Sequence, residues 1–319
     1  MAKEHVGVPR EAVAWIRKVF ASVNKDVSGL LSLNPNHHEP ELDMALISGL
    51  NHAPPVAHPA GWTVYIQTHF LGGRRHFYNW EVADIGFLVI FRDRGKILRI
   101  KVGLLQSKRL YPTEEKRLPE HADRFRIGFA TLVAEPDAFR ALVSGRSFTF
   151  SRDSRYLAIS KGDEQARALN QYEKMSGIPV YYLLYNPTTI PLTATVPAVR
   201  LTLPKEPKAG CRVVPARALS AAIQTYADGY HPSFGDVAGL ASPFRGRHRT
   251  GWRLEHFVAD LLVSCREGHV ATGTTDHVLE NLFYRRSGPI AAAIAVTVDA
   301  PPGTELVLPE VEAPEWGDE

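Results

Sequence analysis

The sequence predicts an α/β fold, and three observations predict it. Two long apolar runs, residues 85–91 and 97–105, flank Asp93-Arg94-Gly95-Lys96, a turn sequence with glycine where a positive φ is needed. An amphipathic stretch over residues 165–175 passes through Gly177-Ile178-Pro179 into the apolar run 180–185, a helix leading into a buried strand. Near the start, Val13, Ile16, Phe20 and Val23 recur at helical spacing and mark a helix over residues 9–23 that lays one face on a core.

The remaining elements follow in order. His38-Glu39-Pro40-Glu41-Leu42-Asp43 leads into residues 44–50, a short helix on which Glu39 shares a stripe with Leu42, Leu46 and Leu50. Glu41 lies about 140° from Leu46 around the turn, but Pro40 suits a first helical turn and leaves the start of the helix open. Pro54, Pro55 and Pro59 break the path to a first strand at residues 61–66, and Gly72-Gly73-Arg74-Arg75 makes a turn before the hairpin. Residues 112–126 are polar and charged, an exposed segment, and 137–143 form a short helix. After Asn186-Pro187 come Pro191, Pro197, Pro204 and Pro207, which places a domain boundary near residue 190 and divides the chain into 1–190 and a smaller α+β module, 191–319. That module holds helices over 216–226 and 252–265, a strand over 290–298 and an acidic, disordered tail over 310–319.

The end of the hairpin carries the chemistry. Residues that pair across a short loop centred on Arg94-Gly95 have numbers summing to about 189, so Asp84 faces the Gln106-Ser107-Lys108 end. Alternation along a strand sends Gln106 and Lys108 to one face, together with Leu98, Ile100, Val102 and Leu104. An acid, an amide oxygen and an ammonium gather there.

This arrangement resembles the active-site hairpin of the PD-(D/E)XK nuclease superfamily, the restriction-endonuclease-like fold, in the variant where glutamine replaces the second acid, as in Mrr-like enzymes. The likeness spans residues 35–187, with 112–150 as an insertion; Ala83 stands where the family has a proline before its first acid. It implies a mixed central sheet flanked by helices, with Asp84 and Gln106-x-Lys108 joined by a helix glutamate, carried over to Glu39 with Glu41 as a second choice. By the same likeness the protein is a metal-dependent DNA endonuclease in which Glu39, Asp84 and Gln106 arrange Mg²⁺, or Mn²⁺, beside a scissile phosphate. Lys108 then orients or deprotonates the attacking water, or offsets developing negative charge. An amide in place of a carboxylate removes one negative charge, which implies weaker metal binding or one ion instead of two. Gln165, with Tyr172 two turns on, is loosely similar to a glutamine–tyrosine helix motif of DNA-processing members, and Arg74, Arg75 and Arg109 are candidate phosphate contacts. The family also implies a homo-oligomer in a prokaryotic cytoplasm, acting as effector of antiphage or anti-plasmid defence with a partner protein. A catalytically degenerate scaffold or nucleic-acid-binding subunit is the alternative.

Composition bounds these expectations. Lys and Arg number 37 against 34 Asp and Glu, so only local clustering can grip nucleic acid. Cys211 and Cys265 form no C-x-x-C pair and read as small buried residues. The longest apolar stretch, 290–298, is too short to span a bilayer, and the N-terminus lacks a signal pattern. His37, His38, His52, His58, His69 and His76 lack the spacing of a zinc site and read as loop or surface residues. Arg245, Arg247, His248, Arg249 and Arg253 form a basic run that either grips phosphates or pairs with Glu255 and Asp260.

Overall fold

The computed structural model describes residues 4–71, 83–116, 146–196, 203–204, 206–240, 251–271, 273–284 and 290–308. The turn at 72–75, the helix expected at 137–143, most of the basic run at 245–249 and the acidic tail lie outside them.

The chain begins with β1 (Glu4–Val6), α1 (Arg10–Leu33), α2 (Glu39–His52), β2 (Val56–Ala57) and β3 (Thr63–Phe70). The hairpin follows as β4 (Ala83–Asp93) and β5 (Lys96–Arg109), then β6 (Glu114–Lys116), β7 (Arg146–Phe150), α3 (Glu164–Ser176) and β8 (Val180–Tyr185). Next come β9 (Leu192–Val196), β10 (Arg212–Pro215), α4 (Ala216–Ala222), α5 (Phe234–Gly239) and β11 (Trp252–Arg253). A helical turn, Leu254–His256, runs into a π-helical turn, Phe257–Leu262, before β12 (His269–Ala271), a helix at His277–Leu282, β13 (Ile290–Ala300) and β14 (Thr304–Leu306).

A nine-stranded mixed sheet organises these elements in the order β11-β10-β8-β5-β4-β13-β3-β2, with β12 also on β5. The hairpin register agrees with the expected one at its tip, Asp93↔Lys96, and then shifts by one residue at a bulge between Phe91 and Arg92, giving Ile85↔Leu105. Helices flank the sheet. The Phe20 ring of α1 lies 5.8 Å from Phe87, and Leu262 packs over Gly103, so α1 and the π-helical turn share one face. On the other face Phe283 and Ile290 fill the space over Gly86, where a Cβ would fall 2.7 Å from the Phe283 ring.

α1 extends to Leu33, beyond the stripe read from the sequence, because the buried face continues in Val27 and Leu31 and, beside them, in polar residues that find partners. Asn24 donates to Glu255 at 2.7 Å and accepts from the Cys211 backbone at 2.7 Å, and Ser32 bonds Thr188. The expected division near residue 190 separates no sheet. β10, β12 and β13 all join strands from before that point, and β13 lies between β3 and β4, antiparallel to the first and parallel to the second. Residues from both sides of 190 share one apolar core, so proline density there marks a loop and not a domain boundary. Cys211 and Cys265 are buried and free, as expected. Among the described residues no helix is long and apolar enough to cross a membrane.

Candidate active site

β4 begins where β5 ends, and the register carries Asp84 to the side of Gln106. The Asp84 Oδ2 accepts from Gln106 Nε2 and, at 2.6 Å, from the Ser107 backbone N–H. That contact orients the amide: turned over, it would set Oε1 against a carboxylate oxygen. Gln106 is 4 % exposed, and its Oε1 is buried without a hydrogen-bond donor among the described residues. An acceptor in that state costs stability unless a cation or water meets it.

α2 supplies the acids. Glu41 is occupied at the helix start, its Oε2 accepting from the His38 backbone N–H at 2.9 Å and meeting His37 Nδ1 at 3.0 Å; the His38 bond in particular holds its pKa below the ordinary value. Glu39, one residue before Pro40, reaches the hairpin instead, and its Oε1 accepts from the Arg109 backbone N–H at 3.2 Å. The structure thus separates the two glutamates by role. One turn on, Asp43 sits deeper: its Oδ1 accepts from Ser107 Oγ at 2.6 Å and from the Tyr185 hydroxyl at 2.5 Å. Burial, reinforced by the Asp84 charge, pushes the Asp43 pKa up to about 7.

Lys108 is buried, 8 % exposed. Burial lowers its pKa, while Asp84, Glu39, Asp163 and Asp43 each act in the opposite direction. Asp163 caps α3, accepting from the Gln165 backbone N–H at 3.1 Å, so the buried Gln165 sits in the turn whose cap faces Lys108 electrostatically. Arg109 is buried too; it donates to Pro35 O at 2.5 Å and lays its guanidinium 3.8 Å from the Tyr111 ring centroid.

Of the residues expected from sequence, Asp84 and Gln106 touch, Glu39 meets the backbone of Arg109, and Lys108 lies in the field of Asp84 and Glu39. Arg74 and Arg75 lie outside the described residues. Asp43, Ser107 and Tyr185 were not expected. Asp43 carried a readable signal, since it follows Glu39 by four residues and shares its helix face; Tyr185 did not, because its hydroxyl meets Asp43 only through the β5–β8 register, Arg109↔Tyr185.

The donors here are oxygens alone, which suits a hard divalent cation such as Mg²⁺. Among the described residues no three His, Cys, Asp or Glu side chains converge as a ligand group. Gln106 Oε1, on the residue bonded to Asp84, is a buried acceptor that no donor meets among the described residues. Two of the histidines serve local contacts, His52 Nδ1 meeting Ser48 O at 2.7 Å and His58 Nδ1 meeting Thr63 Oγ1 at 3.2 Å, and His76 lies outside the described residues. Arg253 pairs with Glu255 at 2.6 Å and donates to Pro207 O at 3.0 Å. In comparisons with known proteins, no family model, curated protein or solved structure matches this chain.

Proposed function

We propose that the chain is a metal-dependent endonuclease of the PD-(D/E)XK type, with a restriction-endonuclease-like core, that hydrolyses DNA phosphodiester bonds. One observation supports it above the others: a buried amide, its nitrogen bonded to Asp84 and its oxygen without a donor among the described residues, lies two residues before a desolvated lysine. Asp84 and Gln106 Oε1 are the residues to hold Mg²⁺ or Mn²⁺, with Glu39 and Asp43 adjoining from α2. When bound, such an ion polarises phosphoryl oxygens and makes a coordinated water more acidic.

The chain's own groups do the rest. Lys108, desolvated but answered by the charges of four acids, offsets charge that builds on the phosphate and orients the attacking water. Asp43 fixes Ser107 and Tyr185, and through the Ser107 backbone it steadies Asp84. Arg109 fixes Glu39 through its backbone and the loop before α2 through its guanidinium.

The test is incubation of the purified chain with plasmid and linear duplex under Mg²⁺, Mn²⁺ or EDTA. Metal-dependent cleavage is expected, and Asp84→Ala and Lys108→Ala should abolish it with unchanged melting curves; cleavage retained by both variants removes the reading. A second reading, a nuclease-like scaffold that binds nucleic acid without cutting it, draws on the fact that Gln106 and Ser107 already satisfy Asp84 Oδ2 without a metal. Binding without cleavage under every divalent ion would select it.

A further inference from the structure

A row of arginines and tyrosines leads from the buried end of β5 to the surface. It starts at Arg109, whose guanidinium covers Tyr111. Tyr111 and Arg155 form an antiparallel bridge, with Tyr111 N–H donating to Arg155 O at 2.9 Å, so their side chains stand side by side. Arg155 in turn lies 4.9 Å from the Tyr230 ring centroid and is anchored by donation to His231 O at 2.9 Å. Tyr230 stacks on Tyr226 with centroids 4.0 Å apart and planes within 4°.

Two features set this stack apart from core packing. Tyr226 is 39 % exposed although one ring face is covered by Tyr230, and Arg155 is exposed as well. Both tyrosine hydroxyls donate to Asp236, at 3.2 and 2.7 Å, so the rings are held parallel at their polar edge and cannot splay. The Asp236 carboxylate sits at the hydroxyl end and leaves the ring faces apolar. A rigid aromatic face beside a cation, repeated along a line, matches the alternation of base and phosphate in a polynucleotide. Bases offer their faces only where they are unpaired.

We propose that Arg109, Tyr111, Arg155, Tyr230 and Tyr226 form a track for an unpaired polynucleotide strand and deliver it to the Asp84–Gln106–Lys108 end; this rests on the reading of that end as a phosphodiester-cleaving site. Arg155 neutralises phosphate, the exposed face of Tyr226 takes a base, and Arg109 with Tyr111 joins the track to β5.

The test measures binding by fluorescence anisotropy with the full chain in EDTA, using oligothymidylate, oligouridylate and a blunt duplex. Tyr226→Ala should weaken both single strands by roughly five- to a hundredfold, since stacking reads a base and not its sugar. Tyr226→Phe, which keeps the ring but loses the bond to Asp236, should weaken both single strands less than Tyr226→Ala does. Arg155→Ala should reduce the slope of log affinity against log salt by about 0.7. Tyr284→Ala, at a tyrosine 56 % exposed outside the row, is the control and should change nothing. Unchanged single-strand affinity in both Tyr226→Ala and Arg155→Ala overturns the track, as does an equal loss on the duplex. Because no divalent ion is present, the outcome is independent of cleavage: variant-sensitive binding without metal-dependent cutting sinks the nuclease reading alone, and cutting of plasmid with unaltered single-strand binding sinks the track alone.

Discussion

Lys101 and Lys108 lie on the same strand, and both are buried, yet their surroundings differ in kind. Seven residues apart, they project to opposite faces of the sheet. Lys101 is 0 % exposed, and its Nζ has no hydrogen-bond partner among the described residues. Burial lowers its pKa to about 8, with Cys265 and Glu267 acting against that, and Glu267 is itself held by the Tyr181 hydroxyl at 2.5 Å. Lys108 faces four acids, Asp84, Glu39, Asp163 and Asp43, at the end of the strand where β4 opens. Burial alone therefore does not mark a reacting lysine. What separates the two is the number of carboxylates that answer the charge.

The largest expected effect tests that distinction on activity. Lys108→Ala should lower metal-dependent cleavage by at least about a hundredfold in a plasmid assay, whereas Lys101→Met should leave it within about twofold. Asp43→Asn comes next: it keeps an acceptor for Ser107 and Tyr185 but removes a charge, and half-maximal cleavage should need about tenfold more Mg²⁺. Gln106→Glu restores a second acid beside Asp84. Without metal it should lower the melting temperature through like-charge repulsion, and the rise on adding Mg²⁺ should exceed that of the unsubstituted chain by a few degrees.

The smallest effect concerns Lys101 and pH. In the folded chain its ammonium loses the proton near pH 8, while in the unfolded chain it holds the proton to its ordinary value of 10.5. Between those values the unfolded state carries more protons, so this group makes stability rise with pH across that window. Lys101→Met should flatten that rise in denaturant titrations at pH 8 and 10; an unaltered slope would place the effect elsewhere.

Much of the site was legible because it rests on local rules. Turn chemistry at Arg94-Gly95 brought Asp84 to the Gln106 end, and alternation put Gln106 and Lys108 on one face. The bulge at Phe91/Arg92 moved the partner of Asp84 by one residue, and nothing in Phe91-Arg92 announces it. The stripe with Leu42 and Leu46 favoured Glu39 and left Glu41 open as a second choice, while Asp43 was passed over as part of the approach to the helix. The placement of β13 was out of reach. Residues 290–298 read as a strand, but pairing across some two hundred residues leaves no local trace. Their unbroken apolar character was the one hint, since a strand buried on both faces lacks polar alternation.

The insertion of β13 between β3 and β4 has a consequence for how the protein is made. β4 carries Asp84, and its outer edge stays open until residues 290–300 have left the ribosome and docked. During synthesis the nascent chain holds every group proposed for cutting while lacking the strand that steadies the first of them. A product that terminates before β13 is made exposes the unpaired edge of β4, a template on which another chain can add a strand.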